Sequence, residues 1–269
     1  MTWKRTAAAI LCALSIFCLM TSRTFAQNRS IIAIAHRGEH LEHPENTLPA
    51  IQAAIDLGFD YAELDVRTTA DGKLILMHDP KVNRMTNGKG EVSKLTLEEI
   101  RKLDAGVKFG TQFAGTKVPT FQEALEAVRG KMGIYVHIKD ADPKQLLDMI
   151  ESEQMLDHVV FFCEDINYLK RLQALRPDAR VMPEAVNLAK VRNTIAEMHP
   201  KFIAMEAEDF HDDIIAAAKA SGAAIFVDRF DEADNPQGWQ NAIDRNADGI
   251  QTNRPAELIR FLRSKGYHP

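Results

Sequence analysis

Short apolar runs alternate with longer amphipathic segments along most of the chain. The apolar runs are typical of buried strands, and they cover residues 31–36, 61–66, 133–138, 158–163, 179–184, 201–206, 223–228 and 248–252. The segments between them place apolar residues at helical spacing. Several carry helix boundaries, such as Asp142 followed by Pro143, or the glycines at positions 58 and 266. Strands that alternate with helices predict parallel pairing, because each return to the sheet needs a helical crossover.

The number of these units favours an α/β fold, the (β/α)8 or TIM barrel. Eight strand–helix units in about 240 residues match the size of that fold. An open doubly wound sheet would show the same alternation. However, no glycine-rich dinucleotide fingerprint follows the first strand, which favours the barrel.

One interval, residues 79–119, is too long for a simple crossover. The run KLILMHD at 73–79 predicts an extra strand, and TLEEIRKLD at 96–104 predicts a helix. We interpret 79–119 as a small insertion after the second strand unit, on the upper rim of the barrel. We expect it to be too short, and too poor in apolar residues, to form a core of its own.

The first 26 residues are typical of a secretory signal peptide. Lys4 and Arg5 precede an apolar stretch of 14 residues, and a small-x-small cleavage site follows. Since a membrane-spanning helix needs about 20 residues, an uncleaved anchor is the less favoured alternative. The bulky residue before Cys18 argues against a lipoprotein. We therefore expect a mature chain of residues 27–269 that is exported to the periplasm or secreted, with no stable membrane span.

Charge and cysteine content narrow the function classes. Removal of the signal leaves 30 basic against 38 acidic residues, a formal charge of −8. An acidic domain lacks the positive surface that binds a nucleic-acid backbone, so no nucleic-acid partner is expected. Only Cys163 remains after cleavage, which excludes a disulfide framework. It lies in an apolar run, where a buried inert thiol is the expected state.

Ionisable residues follow the apolar runs at the strand ends, where barrel enzymes carry their chemistry. Glu63 and Asp65 are spaced i, i+2 and therefore share one face of a strand. Two adjacent carboxylates repel each other unless a cation lies between them, which favours a metal site over a solvent-facing strand edge. Acidic residues also follow four later strands. They indicate either a charged barrel mouth or strand ends that simply lie in solvent. These are Glu164, Glu184, Glu206 and Asp228.

Two histidines, His36 and His78, each close an apolar run. A lone histidine in such a place is usually structural. Two of them, with Arg37 beside the first and a metal nearby, indicate a general acid and base for cleaving a phosphate ester.

Four blocks of the sequence, taken together, resemble the glycerophosphodiester phosphodiesterase family. The resemblance rests on AHRG…PENT (35–47), ELDVRTTADGKLILMHD (63–79), VPTFQEAL (118–125) and DGIQTNRPAEL (248–258). It implies a barrel with an insertion after the second unit. It also implies metal-dependent hydrolysis of small glycerophosphodiesters to glycerol phosphate and an alcohol.

The resemblance assigns roles to individual positions. His36 and His78 correspond to the paired acid and base, Arg37 to the phosphate-contacting arginine, and Lys139 to a lysine that faces the phosphate. Asn46 and Thr47 resemble caps of the first helix, and Glu45 a residue that braces the site, although all three also suit an ordinary helix start.

The metal site shows one departure from the family pattern. Glu63 and Asp65 correspond to two ligands of the divalent cation, Mg or Ca by resemblance. His137 stands where a third acidic ligand is usual, which shifts the preference toward Zn or Mn. Alternatively, Glu184 or Glu206 supplies the missing carboxylate.

A second departure follows the seventh strand, where the family often has a Trp-Thr pair and this chain has FVDRFDEADNP (226–236). The pocket wall, and the alcohol recognised, are therefore open. Two alternative functions remain: a non-catalytic barrel that binds phosphorylated sugars or alcohols, and a phosphodiesterase that cleaves lysophospholipids.

Overall fold

The computed structural model describes residues 29–269, so the predicted signal peptide, with Cys12 and Cys18, lies outside the described residues. Within that range the strands are β1 Ile32–His36, β2 Tyr61–Thr68, β3 Leu74–Leu76, β4 Gly133–Ile138, β5 Val159–Phe162, β6 Val181–Met182, β7 Phe202–Met205, β8 Ala224–Arg229 and β9 Gly249–Thr252. The α-helices there are α1 Leu48–Leu57, α2 Leu97–Arg101, α3 Phe121–Val128, α4 Pro143–Ser152, α5 Ile166–Leu175, α6 Leu188–Met198, α7 Asp212–Ala220, α8 Pro236–Asp244 and α9 Pro255–Lys265.

All strands except β3 form one parallel sheet that curves into a barrel. The order is β6-β5-β4-β2-β1-β9-β8-β7. The ring closes between β6 and β7 through one parallel bridge that pairs Glu184 with Ala204. β6 is short because Pro183, which has no N–H donor, follows directly. The predicted eight-unit barrel is confirmed.

Alternation along the strands separates two apolar layers. Side chains that point outward pack against the helices and form the main core, with Trp239, Phe121 and Phe161 among its largest fully buried members. Side chains that point inward fill the barrel below its mouth; they are Ile34, Tyr135, Val160, Phe162, Met182, Phe202, Ala204 and Phe226. Polar residues that end the inward-facing rows therefore meet at one end of the barrel.

The insertion packs on the carboxyl end of β2, with β3 antiparallel to that strand. Its buried apolar residues pack together with β3 rather than as a core of the insertion alone. Its buried residues form a separate cluster with β3; they are Ile75, Met77, Val82, Val92, Ile100, Ala105 and Val118. Ile75 of β3 and Met77, which follows that strand, supply two of its large apolar side chains from outside the interval 79–119. The insertion is therefore anchored, and its polar side chains have fixed positions over the mouth.

Two smaller sequence expectations concern the thiol and the membrane. Cys163 is buried, and burial raises the pKa of its thiol, which disfavours the reactive thiolate. Among residues 29–269, no helix combines the length and apolar character needed to cross a membrane.

Candidate active site

Strand register brings the two predicted carboxylates to the centre of the barrel mouth. β2 lies between β1 and β4, so Glu63 is level with His36 on one side, and Asp65 is level with His137 on the other. Glu63 is 1% exposed and Asp65 is fully buried. Because both point inward, their charges meet inside the barrel rather than in solvent.

Glu63, Asp65 and His137 form a cluster that can hold a metal ion. One ligand atom from each lies within 4.8 Å of the others. His137 Nδ1 is 3.3 Å from Glu63 Oε1 and 3.5 Å from Asp65 Oδ1. Both of those oxygens are buried without a hydrogen-bond partner. Orphaned carboxylate oxygens beside an imidazole fit a divalent cation. Among residues 29–269 this is the one such group of three, and Glu184 and Glu206 are not members of it.

The turn after β1 holds the two carboxylates from behind. The Arg37 backbone N–H donates to Glu63 Oε2 at 2.9 Å. Asn46 Nδ2 donates to Asp65 Oδ2 at 2.7 Å, and Asn46 Oδ1 accepts from the Asp65 N–H at 3.1 Å. Arg37, Gly38 and Asn46 all have positive φ, and a Cβ on Gly38 would lie 2.9 Å from the Ala50 carbonyl carbon. The HRG sequence thus permits a turn tight enough to reach β2.

The prediction that the side chains of Asn46 and Thr47 cap α1 is wrong. Thr47 occupies the N-cap position, but its side chain makes no capping hydrogen bond and its hydroxyl donates to the Pro44 carbonyl. Asn46 turns inward to Asp65 instead, because its left-handed backbone directs the amide toward β2. Glu45 does brace the site, since it accepts from Arg37 Nη1 at 3.1 Å.

His36 is fixed on two sides by residues that sequence reasoning missed. Its Nδ1 lies 2.5 Å from Asn253 Oδ1, so the ring donates there and keeps its lone pair on Nε2. Nε2 is 3.9 Å from Glu63 Oε2. Phe230 stacks on the ring, with centroids 4.6 Å apart. Burial lowers the pKa of His36, which favours the neutral imidazole.

Asn253 is positioned in turn by Asp234 of the divergent segment after the seventh barrel strand. Asp234 accepts from the Asn253 N–H at 2.7 Å, from Thr252 Oγ1 at 2.6 Å and from Trp239 Nε1 at 2.8 Å. The available signal for Asn253 was its place in the TNRP block. Phe230 and Asp234 had no such signal, because their role depends on how that loop folds over His36.

Arg37 and Lys139 lie beside the carboxylates, and His78 follows the end of β3. Met77 N donates to the Asp65 carbonyl at 3.0 Å, which places the next residue, His78, at the rim with its Nδ1 2.8 Å from Asp79 Oδ1. Arg37 Nε is 3.6 Å from Asp65 Oδ2, and Lys139 Nζ is 3.3 Å from Asp65 Oδ1. His36, Arg37 and Lys139 thus reach the buried pair directly, whereas the ring of His78 contacts Asp79 and its side chain is 36% exposed.

The charges at the mouth shift several pKa values. Burial alone would raise the pKa of Glu63, but its close contact with His137 outweighs that and lowers the pKa to about 2. Burial opposes charge on His137 too, yet its bond to Glu164 and its contact with Glu63 raise its pKa to about 9. Lys139 Nζ lies 2.7 Å from His137 Nε2, among the same carboxylates.

The far side of the mouth is acidic. Burial, followed by the charge of Glu206, raises the pKa of Asp228 well above its ordinary value, and burial with the charge of Glu184 raises that of Glu206. Glu164 differs, since its bond to His137 lowers its pKa to about 2. Burial and mutual repulsion thus disfavour the charged forms of Asp228 and Glu206, whereas the bond to His137 favours the charged form of Glu164.

Comparisons with known proteins agree with this geometry. A model of the glycerophosphoryl diester phosphodiesterase family matches residues 36–257. A glycerophosphodiester phosphodiesterase of Caldanaerobacter subterraneus subsp. tengcongensis is 32% identical over 249 residues, which are 87% of this chain and 99% of that protein. The crystal structure of a glycerophosphodiester phosphodiesterase from Agrobacterium tumefaciens str. C58 has a TM-score of 0.78 at 30% identity, and covers 86% of this chain and 99% of that one. An Oleispira antarctica phosphodiesterase, solved with the product sn-glycerol-3-phosphate, has a TM-score of 0.79 at 22% identity over 86% and 96% of the two chains, which supports the fold.

Proposed function

This chain belongs to the glycerophosphoryl diester phosphodiesterase family and is a phosphodiesterase, and we propose that it hydrolyses small glycerophosphodiesters to glycerol phosphate and an alcohol with a bound divalent cation. One observation carries the proposal. The buried pair Glu63 and Asp65 presents two orphaned oxygens to His137, within reach of Arg37 and His36. This arrangement suits an anionic ester bridged to a metal.

The chain's own cations bind the ester. Arg37 and Lys139 lie on either side of Asp65, so both can face a phosphate that sits above the carboxylates. A divalent cation held by Glu63, Asp65 and His137 would offset the charge that develops on the phosphoryl oxygens. The imidazole ligand favours Zn or Mn, and the two carboxylates still suit Mg or Ca.

The two histidines divide the proton transfers. His36 is the general base, because its Nδ1 is committed to Asn253 and its buried ring is predominantly neutral. It takes a proton from the attacking water or from a neighbouring hydroxyl of the glycerol moiety. His78 is the general acid, because its Nδ1 is bonded to the Asp79 carboxylate and its Nε2 is left to give a proton to the leaving alkoxide.

A lysophospholipid is a second candidate substrate. Leu41, Val107 and Phe109 are 52%, 40% and 39% exposed. A cavity of about 210 Å³ links Phe109 with Glu45 and Arg84 beside the site. An acyl chain on this rim would bury apolar surface that a glycerophosphodiester leaves in water. Export to the periplasm or beyond, which rests on residues 1–26 alone, would bring the enzyme to such substrates.

A metal-by-substrate screen on residues 27–269 tests the proposal. Metal-free protein is assayed with Mg, Ca, Mn or Zn against glycerophosphoethanolamine, a lysophospholipid and a chromogenic phosphodiester. We expect turnover of glycerophosphoethanolamine that a chelator abolishes and added metal restores. Turnover confined to the lysophospholipid would favour the second candidate. Activity that persists in excess chelator would remove the metal from the mechanism, and inactivity on all substrates would refute the function.

A further inference from the structure

We infer that Arg84, supplied by the insertion, is a positioning residue that fixes His78 and Arg37 at the same time, through Asp79 and Glu45. The inference rests on the proposed function, because it assigns Arg84 to the acid and phosphate-binding groups of that reaction. Neither the strand ends nor the resemblance pointed to this residue.

The first branch runs through Glu45. Arg84 Nη2 donates to Glu45 Oε1 at 2.7 Å, and Nη1 donates to Oε2 at 2.9 Å. Oε1 also accepts from Arg37 Nη1 at 3.1 Å. Glu45 is 11% exposed at its side chain, so its two arginine partners, rather than water, determine its orientation. Loss of Arg84 would leave Glu45 free to rotate, and Arg37 would lose its fixed acceptor.

The second branch runs through Asp79. Arg84 Nε donates to Asp79 Oδ2 and Nη2 donates to Oδ1, both at 2.8 Å. Oδ1 is the same oxygen that lies 2.8 Å from His78 Nδ1. Arg84 thus holds the carboxylate that orients the proposed general acid. His78 is 36% exposed, and β3 ends two residues before it, so side-chain contacts such as this one must fix its ring.

The position of Arg84 is itself well determined. It stands between Val82 and Thr86, both fully buried, and Thr86 Oγ1 donates to the Val82 carbonyl at 2.8 Å. This loop packs in the insertion's apolar cluster. A planar guanidinium is required. Nε and Nη2 donate to Asp79 while Nη1 and Nη2 donate to Glu45, and a lysine ammonium cannot reproduce these two bidentate pairs.

The insertion therefore helps to position the catalytic and phosphate-binding side chains. One guanidinium joins the group that grips the phosphate to the group that protonates the leaving alcohol. Loss of the Arg84 guanidinium removes the contacts with Glu45 and with Asp79 at the same time. The loss of an ordinary surface ion pair, by contrast, has little effect on activity.

The test compares Arg84→Gln and Arg84→Lys with Arg101→Gln. Arg101 is a matched control, because it also belongs to the insertion and forms a bidentate pair, with Glu123 at 2.8 and 3.0 Å, and its recorded partners, Glu123 and Val118, are not residues of the site. Three quantities are measured: the melting temperature, the dissociation constant of sn-glycerol 3-phosphate, and kcat on two esters. One ester releases an aliphatic alcohol and the other releases nitrophenol, which leaves without protonation.

We expect Arg84→Gln to lower kcat on the aliphatic ester about 10–100-fold, with a much smaller loss on the nitrophenyl ester. It should also weaken glycerol 3-phosphate binding by at least about fivefold. Arg84→Lys should restore only part of both losses, and Arg101→Gln should stay within about twofold of wild type. Equal losses in Arg84→Gln and Arg101→Gln would overturn the inference, as would equal losses on both esters accompanied by a fall in melting temperature. If wild type hydrolyses neither ester, the proposed function fails, and the binding comparison still decides the Glu45 branch.

Discussion

Replacement of Asn46 removes the one amide that holds Asp65 on two sides. The side chain donates to Asp65 Oδ2 at 2.7 Å and accepts from the Asp65 N–H at 3.1 Å, and it is only 4% exposed. Its backbone is left-handed, with φ 54°. Asn46→Ala therefore perturbs both contacts and the turn, whereas Asn46→Gly removes the contacts but accepts the same backbone.

The magnitudes follow from those three terms. Leaving a buried N–H or carboxylate oxygen without its partner costs about 1–3 kcal/mol each. Holding alanine in a left-handed conformation costs about 1–2 kcal/mol. Because neighbouring groups relax together, we expect Asn46→Ala to lower the free energy of unfolding by about 3–5 kcal/mol and Asn46→Gly by about 1 kcal/mol less. A misplaced Asp65 should also weaken metal binding about 10–100-fold in both variants.

Urea unfolding followed by far-ultraviolet circular dichroism measures the first effect. The experiment uses residues 27–269 in chelator, so that metal binding does not contribute to stability. A separate calorimetric titration with Mn or Zn measures the second. Together the two variants separate the backbone contribution from the hydrogen bonds.

Two results would contradict this account. Wild-type stability and metal affinity in Asn46→Gly would mean that the amide contacts are without energetic consequence. Equal stability of Asn46→Ala and Asn46→Gly would mean that the left-handed turn stores no strain for a residue with a Cβ.

Three further predictions concern the proton-transfer groups and acid sensitivity. His36→Ala and His78→Ala should each lower turnover of a glycerophosphodiester by about 10²–10⁴-fold with the fold intact, and only the His78 variant should recover on a nitrophenyl ester; wild-type-like rates in either would overturn the assignment. Asn253→Ala should lower kcat about 10–100-fold with little change in KM, while Asn253→Asp, which keeps an acceptor for the ring, should retain more activity; the opposite ranking would sink the tautomer argument. The bond from Arg84 lowers the pKa of Asp79 below its unfolded value, so this pair stabilises the fold above about pH 4 and is lost in acid. The difference in free energy of unfolding between wild type and Arg84→Gln should therefore narrow as the pH falls from about 6 to about 3. A difference that widens would contradict the predicted direction of the pH dependence.

Most of the site residues could be predicted from the sequence, because the direction of a side chain along a strand depends only on its position in that strand. The i, i+2 spacing of Glu63 and Asp65 fixes their shared face before any tertiary contact forms. Parallel strands end at the same edge, so His36 and Lys139 could be assigned to that mouth as well. Asn46 could not be assigned, because a helix cap and an inward amide differ only in how the turn after β1 meets β2, 19 residues further on.

Sequence alone determined the fold class and the identity of the groups that meet at the mouth. Those depend on periodicities and strand ends, which neighbouring residues encode. Only the tertiary structure decided how the groups are held: Phe230 and Asn253 on His36, and Arg84 between Asp79 and Glu45. Such contacts join loops far apart in the chain, and their geometry depends on how the insertion and the last barrel loops pack over the strands. The physical reason is that no local pattern specifies the packing of one loop against another.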